Sequence, residues 1–173
     1  MKLKNPFDYY NRITISDNAC KKGNLLSFKI LISPFFFLKK IDINDFDGTF
    51  IQTAAMYNQL NVIKYLVKKG ANVNLQPHYK WTSYFGTLGM TIYGKTALMN
   101  AAENGHIEVV KYLLKVGAEM SISAACNKDY IKYISDYTSL AFPEINYVTA
   151  LSLAQGNGHH NIVELLLNVK VNT

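Results

Sequence analysis

Residues Thr96–Ala118 read TALMNAAENGHIEVVKYLLKVGA, and this stretch decides the fold. Thr96 stands where an N-cap hydroxyl satisfies the first free N–H groups of a short helix. Ala101 and Ala102 follow, small enough to let neighbouring helices approach closely. Gly105 then supplies the left-handed conformation that ends one helix before the next begins. In the second helix Val109, Val110, Leu113 and Leu114 recur at one and four steps, an apolar stripe on one face. Two such stripes facing each other bury a core, but one helix pair cannot bury its own.

The pattern recurs. TFIQTAAMYNQLNVIKYLVKKGA, Thr49 to Ala71, aligns with it without a gap, and TALSLAQGNGHHNIVELLLNVK begins at Thr149. A worn copy, TISDNACKKGNLLSFKILI, begins at Thr14. Thr14, Thr49, Thr96 and Thr149 are therefore expected as N-caps. Gly23, Asn58, Gly105 and Gly158 share the helix-ending place, and Ala19, Ala54 with Ala55, and Ala154 the close-packing one. Four copies make an array whose divergent terminal units are expected to act as caps.

The Thr, Ala-Ala, Gly-His, Val-Val, Leu-Leu, Gly-Ala succession of Thr96–Ala118 resembles the ankyrin repeat family over nearly the whole chain. The residue pair after the threonine departs from it, since Ala97 and Met99 replace the usual proline and histidine. The resemblance implies an all-α repeat solenoid of stacked helix-turn-helix units with hairpin fingers, and a non-enzymatic protein-binding role. The threonines are spaced 35, 47 and 53 residues apart, so against a period of about 33 two junctions carry extra chain. One domain over 1–173 is expected, with units at about 9–43, 44–76, 91–123 and 144–173. The insertions fall at about 77–90 and 124–143, and the resemblance makes them two enlarged fingers. The first reads as loop or hairpin. In the second, Tyr130, Tyr133, Ile134 and Tyr137 repeat at helical spacing.

Composition bounds the function. The chain has 173 residues, 49% apolar and 17% charged, which is ordinary for a globular domain. Its formal charge is +6, and residues 1–40 hold eight basic and two acidic side chains against ten of each in the remainder. Seventeen of the eighteen basic residues are lysine, and lysine lacks the planar fork that reads base edges, so a nucleic-acid binder is only an alternative. The apolar run from Ile30 to Leu38 is broken by Pro34 and too short for a bilayer span. No signal-peptide pattern opens the sequence, and Cys20 and Cys126 match no zinc or redox spacing. A cytoplasmic protein is expected, or one delivered into another cell without a classical leader, requiring no metal and no cofactor.

Gly89–Thr96, GMTIYGKT, satisfies the P-loop expression letter for letter. Phosphate cradling there needs a buried strand before it and a helix after it. Gly94, Lys95 and Thr96 are already accounted for by the repeat, and the 77 residues that follow are spent on further units. Nucleotide binding is thus an alternative reading. His106 and His159 sit at the Gly-His turns and His160 merely follows, which leaves His78 and a conceivable dyad with Cys126. Cys20 holds a small-residue core position. Lys64 with Lys68, and Lys111 with Lys115, form rows on the face away from the apolar stripe and read as solvated.

Long aromatic-rich loops in a compact domain are usually functional, and aromatics are favoured interface anchors. The first insert carries Tyr79, Trp81, Tyr84 and Phe85, and the second Tyr130, Tyr133 and Tyr137. The family resemblance places variable inner-surface positions at Met56, Tyr57, Glu103, Asn104 and Asn157, and fingertips at Phe46, Ile92, Tyr93 and Tyr147. Together these are the expected partner-binding residues. The partner is expected to be a protein, with an acidic patch facing Lys21 and Lys22, and the role that of an inhibitor, an immunity-type protein or an effector.

Overall fold

The computed structural model describes residues 6–33, 43–44, 50–82, 89–126 and 146–171. Helices come in consecutive pairs: α1 (Pro6–Lys21) with α2 (Leu25–Ile32), α3 (Phe50–Met56) with α4 (Leu60–Lys68), and α5 (Ala97–Glu103) with α6 (Ile107–Lys115). The last pair is α7 (Ala150–Gly156) with α8 (His160–Val171). First helices stack on first helices, α1 on α3, α3 on α5 and α5 on α7. The result is an all-α repeat solenoid, with short hairpins at two of its junctions.

The expected core is present. Val62, Ile63 and Leu66 of α4, and Val109, Val110 and Leu113 of α6, are fully buried, as are Ala54, Ala55, Ala101, Ala102 and Ala154. Small side chains on the first helices are what let the layers close. At the first junction larger groups do this work: the Phe28 ring meets Phe50 edge-on at 5.3 Å and Tyr65 at 6.4 Å. Cys20 is buried there and its thiol donates to the Phe50 carbonyl at 3.3 Å.

The turn residues also behave as their chemistry requires. Gly23, Asn58, Gly105 and Gly158 all have positive φ, between 58° and 76°. After each, the next backbone N–H closes the turn on an alanine carbonyl: Asn24 on Ala19, Gln59 on Ala54, His106 on Ala101 and His159 on Ala154. Thr96 accepts from the Met99 N–H, and Thr149 forms a reciprocal capping box with Ser152. Thr49 lies outside the described residues. Thr14 is a correction, for it lies inside α1 rather than at its start. Pro6, whose missing N–H costs nothing in a first turn, opens that helix, and Phe7–Ile13 contains no glycine or proline to stop it. At the other end Lys170 stands in the place of Gly70 and Gly117, so α8 runs on to Val171.

The first insert forms a hairpin. β1 (His78–Thr82) pairs antiparallel with β2 (Gly89–Tyr93), with His78 opposite Tyr93 and Thr82 opposite Gly89. Gly94 closes its base on the Pro77 carbonyl at 2.6 Å. At the next junction β3 (Ala124–Cys126) pairs antiparallel with β4 (Asn146–Val148), and β2 lies beside β3. The Gln76 amide donates to both Gly94 and Ser123 carbonyls, at 3.1 and 2.8 Å, and so ties the two bases together. The helix expected around Tyr130, Tyr133 and Tyr137 falls outside the described residues.

Two measurements check this packing. Leu113→Ala removes a fully buried side chain and is expected to cost roughly 2–5 kcal/mol in urea denaturation. Lys115→Ala, on the exposed face, should change stability by no more than about 0.5 kcal/mol. A Leu113→Ala loss under about 1 kcal/mol would put the apolar register on the wrong face.

Candidate functional site

The candidate surface follows the ends of the first helices. Lys21, Met56, Glu103 and Gly156 are the last residues of α1, α3, α5 and α7, and Lys22, Tyr57, Asn104 and Asn157 come next. A hydrogen-bond ladder holds these ends in register. The residue after each left-handed turn reaches back to the preceding helix end: Gln59 Nε2 to the Lys21 carbonyl at 2.9 Å, His106 Nε2 to Met56 at 3.0 Å, and His159 Nε2 to Glu103 at 3.0 Å. A carbonyl can only accept, so Nε2 carries the hydrogen in both histidines. With these side chains turned to the preceding unit, neither Gln59 nor His106 caps its own helix. Asn24, in the same place in the first unit, does cap, accepting from the Ser27 N–H at 3.0 Å.

The rungs demand space. A Cβ on Gly105 would stand 2.8 Å from His159 Cε1, and one on Gly23 2.1 Å from Gln59 Oε1. Glycine leaves room for the rung at these two turns, while Asn58, which has a Cβ at the equivalent place, still receives the His106 rung. A second set of rungs joins the far loops. Asn44 accepts from the Asn72 N–H and donates to the Gly70 carbonyl, while Asn74 does the same with Glu119 and Gly117.

The row is chemically uneven once its internal bonds are counted. Glu103 binds Lys95 through both carboxylate oxygens, at 2.6 and 2.7 Å. Asn104 and Asn157 each donate to the carbonyl four residues earlier in their own helix, at 2.8 Å. Each keeps one amide N–H and its carbonyl oxygen for other partners. Met56 and Tyr57, by contrast, are 41% and 47% exposed. Lys21 sits beside them, 5.9 Å over the Tyr57 ring and 2.9 Å from Asp17. Its pKa is raised, chiefly by the hydrogen bond to Asp17, so it stays charged.

Of the expected finger residues, Tyr79 is paired with Ile92 across the first hairpin, and Tyr93 closes it opposite His78. Trp81 pairs with Met90. Tyr147 is exposed on β4. Phe46, Tyr84, Phe85, Tyr130, Tyr133 and Tyr137 lie outside the described residues.

Gly89–Tyr93 does not provide the context that a P-loop needs. A phosphate-binding loop follows a buried parallel strand, whereas Gly89–Tyr93 is half of an antiparallel hairpin. Lys95 is held by Glu103, and Thr96 Oγ1 accepts from Met99 as a helix cap. Cys20 is no nucleophile, because burial pushes its thiol up to about 12. His78 and Cys126 belong to different hairpins.

One lysine of each solvated row has a partner, and Lys29 holds the place of Lys64 in the first unit. Lys29 leans over Tyr65 at 5.1 Å and Lys64 over Tyr112 at 5.8 Å, each lysine covering the tyrosine of the next unit. Lys111 pairs with Glu108 at 2.8 Å. Composition alone did not show this, but a lysine in one unit aligned one place before a tyrosine in the next was the available signal.

Stacked helix pairs, left-handed turns, cross-unit rungs and hairpins at the junctions agree with comparison by sequence: the ankyrin repeat profile matches residues 17–124 as three copies. The chain belongs to the ankyrin repeat family. The match ends before α7 and α8, which repeat the turn and the rung of the ankyrin units before them. No curated protein matches the chain. Ankyrin repeats are generally protein–protein interaction modules and typically non-enzymatic. Among the described residues, no helix is long and apolar enough to cross a membrane, and no three His, Cys, Asp or Glu side chains cluster as a metal site.

Two predictions follow from this geometry. Gly105→Ala combines a left-handed φ with a collision against His159, whereas Gly158→Ala meets open space at a similar φ. By chemical denaturation, Gly158→Ala should cost about 1 kcal/mol, and Gly105→Ala at least about 1 kcal/mol more through the lost rung. ATP with magnesium should leave the melting temperature of the wild type and of Lys95→Ala unchanged. A shift that disappears in the variant would restore the nucleotide reading.

Proposed function

We propose that the chain is a non-enzymatic binding protein, one ankyrin domain over 1–173, that seats a partner protein on the helix-end row and its enlarged fingers. The observation that carries this is the exposure of Met56 and Tyr57 on a row whose other members are partly spent on internal bonds. An exposed Tyr on rigid backbone is suited to a buried hot spot, because its two side-chain torsions lose little entropy on burial, and Met56 beside it adapts its shape to what covers it. The ladder supplies that rigidity.

Lys21 and Lys22 flank this apolar pair, so the complementary surface is an apolar anchor with an acidic rim. Glu103, Asn104 and Asn157 continue the row as polar contacts that fix orientation. The aromatic fingers, with Tyr79, Trp81, Tyr84, Phe85, Ile92 and Tyr93 in the first and Tyr130, Tyr133 and Tyr137 in the second, extend the surface at its edge. A cytoplasmic protein that occludes a partner, as an inhibitor or an effector does, fits this reading.

Affinity capture from the source lysate tests it, with wild type compared against Met56→Ala/Tyr57→Ala and against Trp81→Ala/Tyr84→Ala/Phe85→Ala. Circular dichroism first establishes that all three are folded. The helix-end double variant should weaken capture of one protein by about 2 kcal/mol or more, the range of a hot spot. The association rate with wild type should fall between low and physiological salt. Equal capture by wild type and both variants, or a rate independent of salt, counts against the proposal.

A further inference from the structure

Two Asn-Gly pairs occur in the chain, Asn104–Gly105 and Asn157–Gly158, and each lies at the end of a first helix. This dipeptide carries chemistry of its own. The glycine backbone nitrogen can attack the asparagine side-chain carbonyl carbon, because glycine has no Cβ to hinder the approach. A bond forms from that nitrogen to Cγ and closes a cyclic imide, while the bond from Cγ to Nδ2 breaks. The glycine N–H proton goes to a base in solution, and the amide group takes a proton from water and leaves as ammonia. Water then opens the imide at either carbonyl to give aspartate or isoaspartate. No other reagent is needed.

The two sites start from the same local geometry. Asn104 has φ −98° and ψ 6°, and Asn157 has φ −101° and ψ 5°. At ψ near zero the glycine nitrogen eclipses the asparagine's own backbone nitrogen, whereas imide closure needs it eclipsed with Cβ. In both sites the side-chain amide also donates at 2.8 Å to the carbonyl four residues earlier, which holds it back along the helix. The glycine N–H is bonded in both turns, at 3.4 Å to Ala102 and 3.1 Å to Gln155. Reaction therefore requires the helix end to open locally, and its rate follows the population of that open state.

What differs is how firmly each turn is held shut. Asn104 follows Glu103, whose carboxylate grips Lys95 at 2.6 and 2.7 Å and whose carbonyl accepts the His159 rung at 3.0 Å. The same imidazole lies against Gly105, where a Cβ would stand 2.8 Å from its Cε1. Asn157 stands instead between Gly156 and Gly158, and a Cβ on either glycine would meet nothing within 4 Å. Among the described residues no rung reaches the Gly156 carbonyl.

We propose that Asn157–Gly158 is a site of spontaneous deamidation on the last described unit, and that the His159 rung protects the equivalent Asn104–Gly105. Conversion removes the donor to the Leu153 carbonyl and puts a carboxylate at the negative end of α7, so the modified chain should unfold at lower urea concentration. The inference does not rest on the use of the helix-end row by a partner.

The test holds the full chain at mildly alkaline pH and physiological temperature and follows each site by peptide mapping with mass spectrometry. Asn157 should convert roughly fivefold or more faster than Asn104, the effect of one hydrogen bond on a local opening. In concentrated urea the two sites should convert at similar rates, and this comparison with folded wild type carries the test without any variant. His159→Ala, checked for folding by circular dichroism, should bring Asn104 up towards the rate of Asn157. His159→Gln, which keeps an Nε2 donor like that of Gln59, should leave Asn104 slow. The proposal is overturned if Asn157 does not convert, if Asn104 keeps pace with it in the folded chain, or if the difference persists in urea. A folded His159→Ala that leaves Asn104 slow, or a His159→Gln that frees it as fully as alanine does, removes the protective role of the rung.

Discussion

The stack depends on one kind of hydrogen bond, in which a side chain just past a left-handed turn reaches back to the last carbonyl of the preceding unit's first helix. That carbonyl is one of the orphans every helix end leaves, and with no partner it would cost about 1–3 kcal/mol if buried. Gln59, His106 and His159 supply the partner across a junction, so completing one helix requires the next unit to be in place. Local structure and stacking are therefore coupled. The glycine before the rung belongs to the same constraint, since a Cβ at Gly23 or Gly105 would occupy the space of the incoming side chain. Asn58, whose φ is 58° and beside which His106 still reaches Met56, shows that neither the left-handed turn nor the rung strictly requires glycine.

This coupling explains how much of the fold was legible. The apolar stripes, the small-residue rows and the helix-ending residues are each tied to a period in the chain, and Val62, Ile63, Val109, Val110, Ala101 and Ala154 fell where that period put them. Thr14 did not, because its role depended on α1 beginning there, and no residue between Pro6 and Thr14 stops the helix. The histidines were legible only as turn residues. Their reach to the preceding unit comes from stacking, a relation across about fifty residues that local spacing does not carry.

The site was legible as positions and less so as chemistry. A family resemblance places Met56, Tyr57, Glu103, Asn104 and Asn157 on one row, but it does not tell which of them are already occupied. Glu103 holds Lys95, the lysine that made GMTIYGKT look like a phosphate loop, so one ion pair changes the reading of both. The two asparagines are half used by their own helices. What remains free and apolar is concentrated at the α3 end, next to the basic first unit. That concentration is a property of side-chain bonding and is invisible in the repeat pattern.

The two ends of the stack face the same physical problem, a repeat face that no further unit covers. Such a face exposes apolar surface to water at roughly 25 cal/mol per Å². At the far end α7 carries Ser152 and Gln155 at exposed positions, while α8 still exposes Leu167. At α1 and α2 the exposed side chains are Ile15, Leu26 and Ile30. The counterparts of Leu26, which are Asn61, Glu108 and Asn161, are exposed and polar, so that position lies on the solvated face in every unit. Apolar side chains left at the ends, Leu26 on α2 and Leu167 on α8, therefore add exposure that the buried rows between them offset.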